Sequence, residues 1–478
     1  MLHRYRRSIL HILCISFIFS SFETFAAEEK DPNRSKLIEV YDMISQYHIK
    51  EIPKDEVSTA AIWGMIDALG DPHTAYFTDR DFQEFIASME GTYNGIGVVV
   101  GQEHNGSITI RQVYENSPAK RAGLQPGDRL MEIDGKRVID QSIETVLNKL
   151  RGDAGSKIQM RFMSTDHLYE VELIRERIEV PIVQSSMLEG QTGYIQLSSF
   201  SQESSQLFKE RLDKLIQEGA KSFVIDLRDN PGGFLDSAVS MSSFFIKEGP
   251  VLHVRNKNDN QMTISVENGV DFPFPLALLV NEYSASAAEV LAAVLKEYGK
   301  ATLIGARTFG KGTVQEVIPL KSGGFLKLTL EEYFTPKRNR MDHTGVSPHI
   351  QVGDTGEQFQ AALYVLRERN VLTLKSSEDV LINYKADRSG TPAAIYEDGK
   401  WFVSARKLAY LFHGEISYDQ EIRKVRLKIS GDEYLWSLEG RALVRKGTFY
   451  LPIEVVLNHY IGLEKINAGD HITLQLRK

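Results

Sequence analysis

The chain has 478 residues, 42% of them apolar and 25% charged, with a formal net charge of −8. That length holds roughly three domains, and the acidic balance argues against nucleic acid as a main partner. The single cysteine, Cys14, lies in an N-terminal apolar run, which excludes a disulfide framework and a thiolate zinc site.

Residues 1–26 read as an export signal. Arg4, Arg6 and Arg7 precede an apolar run from Ile9 to Phe22, and Thr24-Phe25-Ala26 offers small residues to a signal peptidase. The run is shorter than the ~18 residues that span a bilayer comfortably. An uncleaved anchor, holding the protein near a membrane, is the alternative. Either way the body is expected outside the cytoplasm: secreted, in a cell envelope or in an intermembrane space. Residues 27–90 follow as a helical region. Ile38, Val40, Tyr41, Met43 and Ile44, then Ala61, Ile62, Met65, Ile66 and Leu69, recur at spacings of three and four, and Gly70-Asp71-Pro72 ends the second helix. Such short helices make no core alone, so a partner surface and a homodimer are expected.

Residues 91–176 change character. G-I-G-V-V-V-G (95–101) is a glycine loop running into a strand. Strands at 107–113 and 129–134, a helix at 144–150 and strands at 157–163 and 168–175 follow. With S-P-A-x-x-A-G-L (117–124), P-G-D-R-L-M-E-I-D-G (126–135) and L-R-G (150–152), this unit resembles a PDZ domain of the bacterial protease type. The backbone N–H groups of Gly95, Ile96 and Gly97 are expected to form a nest for a peptide's terminal carboxylate. Val98 and Leu147 are the expected groove walls, with the peptide added as a strand. A degenerate PDZ that only packs is the alternative.

Residues 177–368 alternate strands and helices, which implies a layered α/β core. Strands are expected at 194–197, 223–228, 276–280, 301–306, 313–319 and 325–331, and helices at 202–218, 234–246 and after Ser286. Residues 372–478 hold an internal repeat. G-K-W-F-V-S-A-R-K-L-A-Y-L-F starts at 399 and G-T-F-Y-L-P-I-E-V-V-L-N-H-Y at 447, each reading as strand, helix, strand. The repeat resembles the small modules named after the N-terminal domain of copper amine oxidases. His413 and His459 do not occupy matching positions, so no copper, no other metal and no cofactor are expected.

The candidate chemistry lies in S-A-S-A-A-E (284–289), F-G-K-G-T-V-Q (309–315) and D-N-P-G-G (229–233). Ser286 with Glu289 fits a capping box, so Ser286 reads as a helix cap at least. A serine at a helix N-terminus also sits where developing negative charge is stabilised. Lys311, flanked by glycines, can serve as a base if desolvation lowers its pKa; the alternative is a surface lysine. Gln315 shares its strand face and can orient the amine without adding charge. The turn at 229–233 is either a tight turn only or the source of a Gly232 N–H that pairs with the Ala287 N–H as an oxyanion hole.

These motifs together resemble the carboxyl-terminal processing, or tail-specific, proteases from residue 36 to residue 352. The resemblance implies an α/β multidomain protein: helical leader, PDZ domain, layered ClpP/crotonase-like serine protease core and C-terminal α+β repeat. Carried over by position, Ser286 is the nucleophile, Lys311 the base, Gln315 the orienter, and Gly232 and Ala287 the oxyanion donors. It implies protein substrates with free C-termini and a PDZ domain that gates cleavage; Arg151, at the end of the PDZ helix, is the expected coupling residue, by an ion pair to the protease domain when a peptide is seated. A signalling role in a spore-forming bacterium belongs to the same expectation. The chain departs from the family pattern at Glu297, Ala306, Pro336-Lys337-Arg338 and His349. The rival readings are a PDZ scaffold on an inactive protease fold, acyl-thioester chemistry on the same layers, and an adhesin working through residues 372–478.

Overall fold

The runs S-F-V-I-D and L-A-L-L-V are buried at every position. A strand without a polar face needs layers on both sides, the signature of parallel α/β sheets. The computed structural model describes residues 31–476 except 104–105, 140, 165–166, 368–369, 376–379, 384, 387–391, 413, 420–423, 430–431, 438–441, 446–447, 461–462 and 469–470. The export-signal reading of residues 1–26 and His413 lie outside the described residues. The chain divides into two units, Thr78–Ile182 and the remainder.

In the larger unit, Thr192–Leu197, Ser222–Asp226, Leu276–Val280, Thr302–Gly305 and Ile350–Gln351 pair in that order, all parallel. Val183–Leu188 adds an antiparallel edge. The helix Ala287–Glu297 is buried from Ala287 through Leu295, and its small residues allow close packing on the helix Leu235–Ser242. A second, antiparallel sheet is built on Phe325–Phe334, which pairs with Thr313–Pro319, Gly249–Asn256 and the short strand Ala75–Phe77. The region expected as one helical leader is therefore divided. The helices Pro32–Tyr47 and Lys54–Asp67 end in a strand of the protease sheet, while the helix Asp79–Met89 belongs to the other unit. The helix Pro32–Tyr47 buries none of its residues and leaves Leu37, Ile38, Val40, Met43, Ile44 and Tyr47 exposed.

Both copies of the C-terminal repeat fold as strand, helix, strand: Lys400–Ser404, Ala405–Leu411 and Glu415–Asp419, then Thr448–Pro452, Ile453–His459 and Leu463–Ala468. The two copies separate after their helices. Glu415–Asp419 pairs with Ile350–Gln351 and extends the protease sheet through Lys424–Ile429 and Asp432–Ser437. Leu463–Ala468 instead joins a sheet with His471–Leu476 and Val371–Lys375. The repeat is thus continuous with the protease layers, because the edge of Ile350–Gln351 offers unpaired backbone groups that a strand must cover.

The departures from the family pattern are braced locally. The Glu297 carboxylate accepts from the Thr335 hydroxyl, the Lys337 N–H and the Asn339 amide at 2.7–2.8 Å. His349 accepts the Leu303 N–H on Nδ1 (2.9 Å), tying two neighbouring strands.

The smaller unit is a six-stranded antiparallel sheet with Val98–Gln102 at its edge and the helix Ile143–Leu150 beside it. Val98 pairs with Val113 and belongs to the core, and Leu147 packs against that core half-buried.

Candidate active site

Three loops leave the carboxyl ends of three neighbouring parallel strands: 227–234, 281–286 and 306–312. In open α/β sheets ligands collect at that end.

Ser286 is the N-cap of the helix Ala287–Glu297 and sits at φ 56°, ψ −118°. A non-glycine residue at positive φ costs about 1–3 kcal/mol and persists only where its surroundings over-determine it. Part of that determination is Glu289, a carboxylate with no exposed surface. Glu289 Oε2 accepts the N–H groups of Ser286 and of Lys311, each at 2.9 Å. Its Oε1 accepts the Gly310 N–H (2.7 Å) and the Thr308 hydroxyl (2.5 Å). The backbones of Ser286 and Lys311 therefore lie no more than two hydrogen bonds apart. Burial pushes the Glu289 pKa up, and these four bonds pull it back only in part. Hydrogen bonds to a charged group contribute about 1.5–3 kcal/mol each, and four of them meet on this one buried carboxylate.

Ser284 is wholly buried, donating to the Leu227 carbonyl (2.8 Å) and accepting the Asn281 N–H (3.0 Å). Asn281 in turn holds Asp229 through its N–H and its carboxylate. Asp226 is paired with Arg228 and bonded by Tyr194. These groups are committed to structure.

Gly232 has φ 97°, and a Cβ there would stand 2.6 Å from the Ala285 carbonyl, 2.8 Å from Ser286 Cβ and 3.0 Å from the Ala287 nitrogen. Only glycine lets this turn approach the serine. Its N–H is not open, however: it donates to Asn230 Oδ1 at 2.8 Å. The Gly232 N–H, expected as an oxyanion donor, is thus held by Asn230 in this structure. The physical reason is an Asx-type bond, in which the asparagine side chain takes the amide two residues on. The N–H groups of Gly233 and Ala287 have no acceptor among the described residues.

Lys311 is half-buried, and its carbonyl accepts the Tyr333 hydroxyl. Burial, and then the charge of Lys311, hold both His73 and Lys327 below their ordinary pKa values. That electrostatic reach brings His73, from the end of the leader, to the neighbourhood of Lys311. Nothing in the spacing of the sequence signalled it. Gln315 is 2% exposed, and its Nε2 donates to Thr313 (2.9 Å) and Thr329 (3.2 Å), leaving Oε1 as its remaining acceptor.

In the smaller unit the expected carboxylate nest already faces a side chain. Tyr93 lies on Gly95, whose Cβ would stand 2.8 Å from the ring. The Val98 and Gly97 N–H groups act on the Tyr93 hydroxyl, and burial first, then neighbouring Tyr114, push its pKa up to about 12. Gly95 itself is opposite Glu176 in a strand pair. Gly97 has φ 83° and abuts Ser117, which admits no Cβ. The Arg151 guanidinium stands 5.6 Å from the Tyr93 ring centroid.

Among the described residues no group of three or more His, Cys, Asp or Glu side chains is placed to hold a metal ion. No helix among them is long and apolar enough to cross a membrane.

Comparison with known proteins agrees with this architecture. Residues 191–352 match the model of peptidase family S41, residues 109–162 a PDZ domain, and residues 20–81 the activating protease CtpB N-terminal domain. The chain is 30% identical over 349 residues to the carboxy-terminal processing protease CtpB of Bacillus subtilis, covering 72% of each. It is 30% identical over 410 residues to a probable CtpA-like serine protease of Staphylococcus aureus, covering 83% of this chain and 82% of that one. Among solved structures, the photosystem II D1 C-terminal processing protease aligns with 69% of this chain and 90% of its own, at 24% identity and a TM-score of 0.45. The chain belongs to the carboxy-terminal processing proteases of peptidase family S41, serine-type peptidases that here carry a PDZ domain.

Proposed function

We propose that the protein is an exported serine endopeptidase that cuts proteins near their C-termini with a Ser286–Lys311 dyad. The observation that carries this reading is the buried Glu289 carboxylate on which the backbones of both residues meet. In the proposed reaction the neutral Lys311 amine takes the Ser286 hydroxyl proton as Oγ attacks the scissile carbonyl carbon. Gln315 Oε1 orients the amine and, being neutral, does not favour the ammonium form. Repulsion between Lys311 and Lys327 is mutual and favours a neutral amine in the pair. The oxyanion is assigned to the N–H groups of Ala287 and Gly233, at the positive end of the helix Ala287–Glu297. The Lys311 ammonium then returns its proton to the leaving amine as the C–N bond breaks. Water, deprotonated by the same lysine, releases the acyl group from Ser286.

The domains in this reading are the export signal, the leader, the PDZ domain, the protease core and the repeat. The PDZ domain takes a substrate's free C-terminus, and Arg151 passes that binding on to the protease. The exposed apolar face of the helix Pro32–Tyr47 supports a homodimer. A signalling role in a spore-forming bacterium belongs to the same reading.

A fluorophosphonate probe, followed by peptide mass analysis, tests the dyad. The expected result is one adduct on the peptide holding Ser286, absent in Ser286→Ala and slowed at least ~100-fold in Lys311→Ala. Labelling that persists in Ser286→Ala contradicts the assignment.

A further inference from the structure

Arg228 leads from the buried strand Ser222–Asp226 into the turn 229–233, and its guanidinium works in two directions at once. Its Nε and Nη2 donate to the Asp226 carboxylate at 2.9 and 2.5 Å. Its Nη1 donates to the Thr355 carbonyl (2.9 Å) and to Gln358 Oε1 (3.2 Å), both at the start of the helix Thr355–Val365.

The helix end of this bridge is well held. The helix packs on the strands Leu276–Val280 and Thr302–Gly305 and on the repeat helix Ala405–Leu411. Asp354 caps it, accepting the Glu357 N–H (2.8 Å), and Gln358 Nε2 donates to the Val352 carbonyl (2.8 Å). The buried Glu357 carboxylate lies 3.6 Å from Arg406 and 4.0 Å from Lys407, both of the repeat helix. Tyr194 makes a second tie: it donates to Asp226 (2.9 Å), and its ring meets Phe359 of the helix edge-on at 5.7 Å. A helix gains nothing from a cation in its first turn, where the macrodipole disfavours positive charge. What the contact fixes is the place of Arg228, and five residues further along the chain stands the Gly233 N–H assigned to the oxyanion.

We propose that Arg228 is a positioning residue for the oxyanion hole: it clamps the start of the 229–233 turn to the helix Thr355–Val365 and so holds the Gly233 N–H in place beside Ser286. The rest of the turn has its own anchors, since the Asn230 carbonyl accepts the Ala285 N–H (2.9 Å) and the Gly232 carbonyl accepts the Phe200 N–H (2.8 Å). Arg228 secures the side toward the helix. A planar guanidinium can serve a carboxylate on one edge and the helix on another, which the point charge of a lysine cannot. The repeat, packed on the same helix, supports the active site by this route. The inference rests on the proposed reading of Ser286 and its oxyanion donors.

The test measures kcat and KM on an unfolded protein with an apolar C-terminal tail, and the affinity of a peptide boronate, for wild type, Arg228→Lys, Gln358→Met and Ser286→Ala. The boron takes the Ser286 oxygen and becomes a tetrahedral anion, so its affinity reads the oxyanion hole. Arg228→Lys keeps a cation for the buried Asp226 and loses the reach to the helix. The expected result is a kcat at least about tenfold lower with KM unchanged, and a boronate affinity weakened by a similar factor. Gln358→Met removes one of the two helix acceptors and shows the same pattern, reduced to a few-fold. Wild-type kcat in Arg228→Lys, or a lowered kcat with boronate affinity unchanged, overturns the proposal. If Arg228→Lys does not fold by circular dichroism, Gln358→Met decides, and wild-type kcat and boronate affinity there overturn it. A boronate that binds Ser286→Ala as tightly as wild type overturns the reading of Ser286, and this proposal with it.

Discussion

A buried carboxylate that ties the Ser286 backbone to the loop of Lys311 is the informative residue of this site. Glu289→Gln keeps the volume but offers one acceptor oxygen where two are used, and turns an NH2 group on two backbone N–H donors. A fall in kcat of at least about tenfold is expected, with the helix content unchanged by circular dichroism. Wild-type kcat would remove Glu289 from the account. His73 supplies a pH prediction. Its native pKa is depressed by burial and by Lys311, below an ordinary value of 6.5. The unfolded chain thus binds a proton that the folded chain refuses, so stability is lost as pH falls below 6.5 toward the native value. The midpoint of thermal unfolding should drop over that range in wild type and less in His73→Asn; parallel curves would refute this. Residues of this kind were unevenly legible. Ser286, Lys311 and Gln315 stand in short motifs whose chemistry can be read from residue type. Glu289 was visible only as a cap, because its bonds to Thr308, Gly310 and Lys311 span 19–22 positions. The bond that closes the Gly232 N–H had a local signal, an asparagine two residues earlier, which the oxyanion expectation passed over.

At the scale of elements, the nest of the PDZ unit faces its own Tyr93. If that loop takes a carboxylate, the ligand competes with the Tyr93 hydroxyl for the Gly97 and Val98 N–H groups. Tyr93→Phe is therefore expected to bind a free-acid peptide several-fold more tightly by fluorescence anisotropy, and an amidated peptide no better than before. Equal affinities of wild type and Tyr93→Phe for the acid would show that the hydroxyl does not compete. Elements with strong patterns were readable: the apolar runs at 223–228 and 276–280 are the buried parallel strands Ser222–Asp226 and Leu276–Val280. The hairpin Gly249–Asn256 and Gln261–Val266 was not expected, although Gln261-Met262-Thr263-Ile264-Ser265-Val266 alternates polar and apolar residues with a strand's period of two. The strand Ala75–Phe77 has three residues, too few for a period to declare itself, and exists because Phe325–Phe334 offers it an edge.

Over the whole molecule, two features bear on assembly. The leader helix Pro32–Tyr47 presents Leu37, Val40, Met43 and Ile44 at 40–56% exposure, an apolar face that one chain leaves uncovered. Sedimentation is expected to give a dimer at micromolar concentration, and Leu37→Asp/Ile44→Asp a monomer. A wild-type monomer would contradict the dimer. The repeat, legible as a repeat from its offset, was not legible as an extension of the protease sheet, because sheet continuation depends on which edge is left open rather than on either copy's sequence. The central claim is the Ser286–Lys311 dyad. Its most direct test is mass spectrometry of the products from an unfolded protein with an apolar C-terminal tail, incubated with wild type, Ser286→Ala and Lys311→Ala. The account predicts cuts near the C-terminus by wild type alone. Equal cleavage by all three would contradict it and place the activity elsewhere.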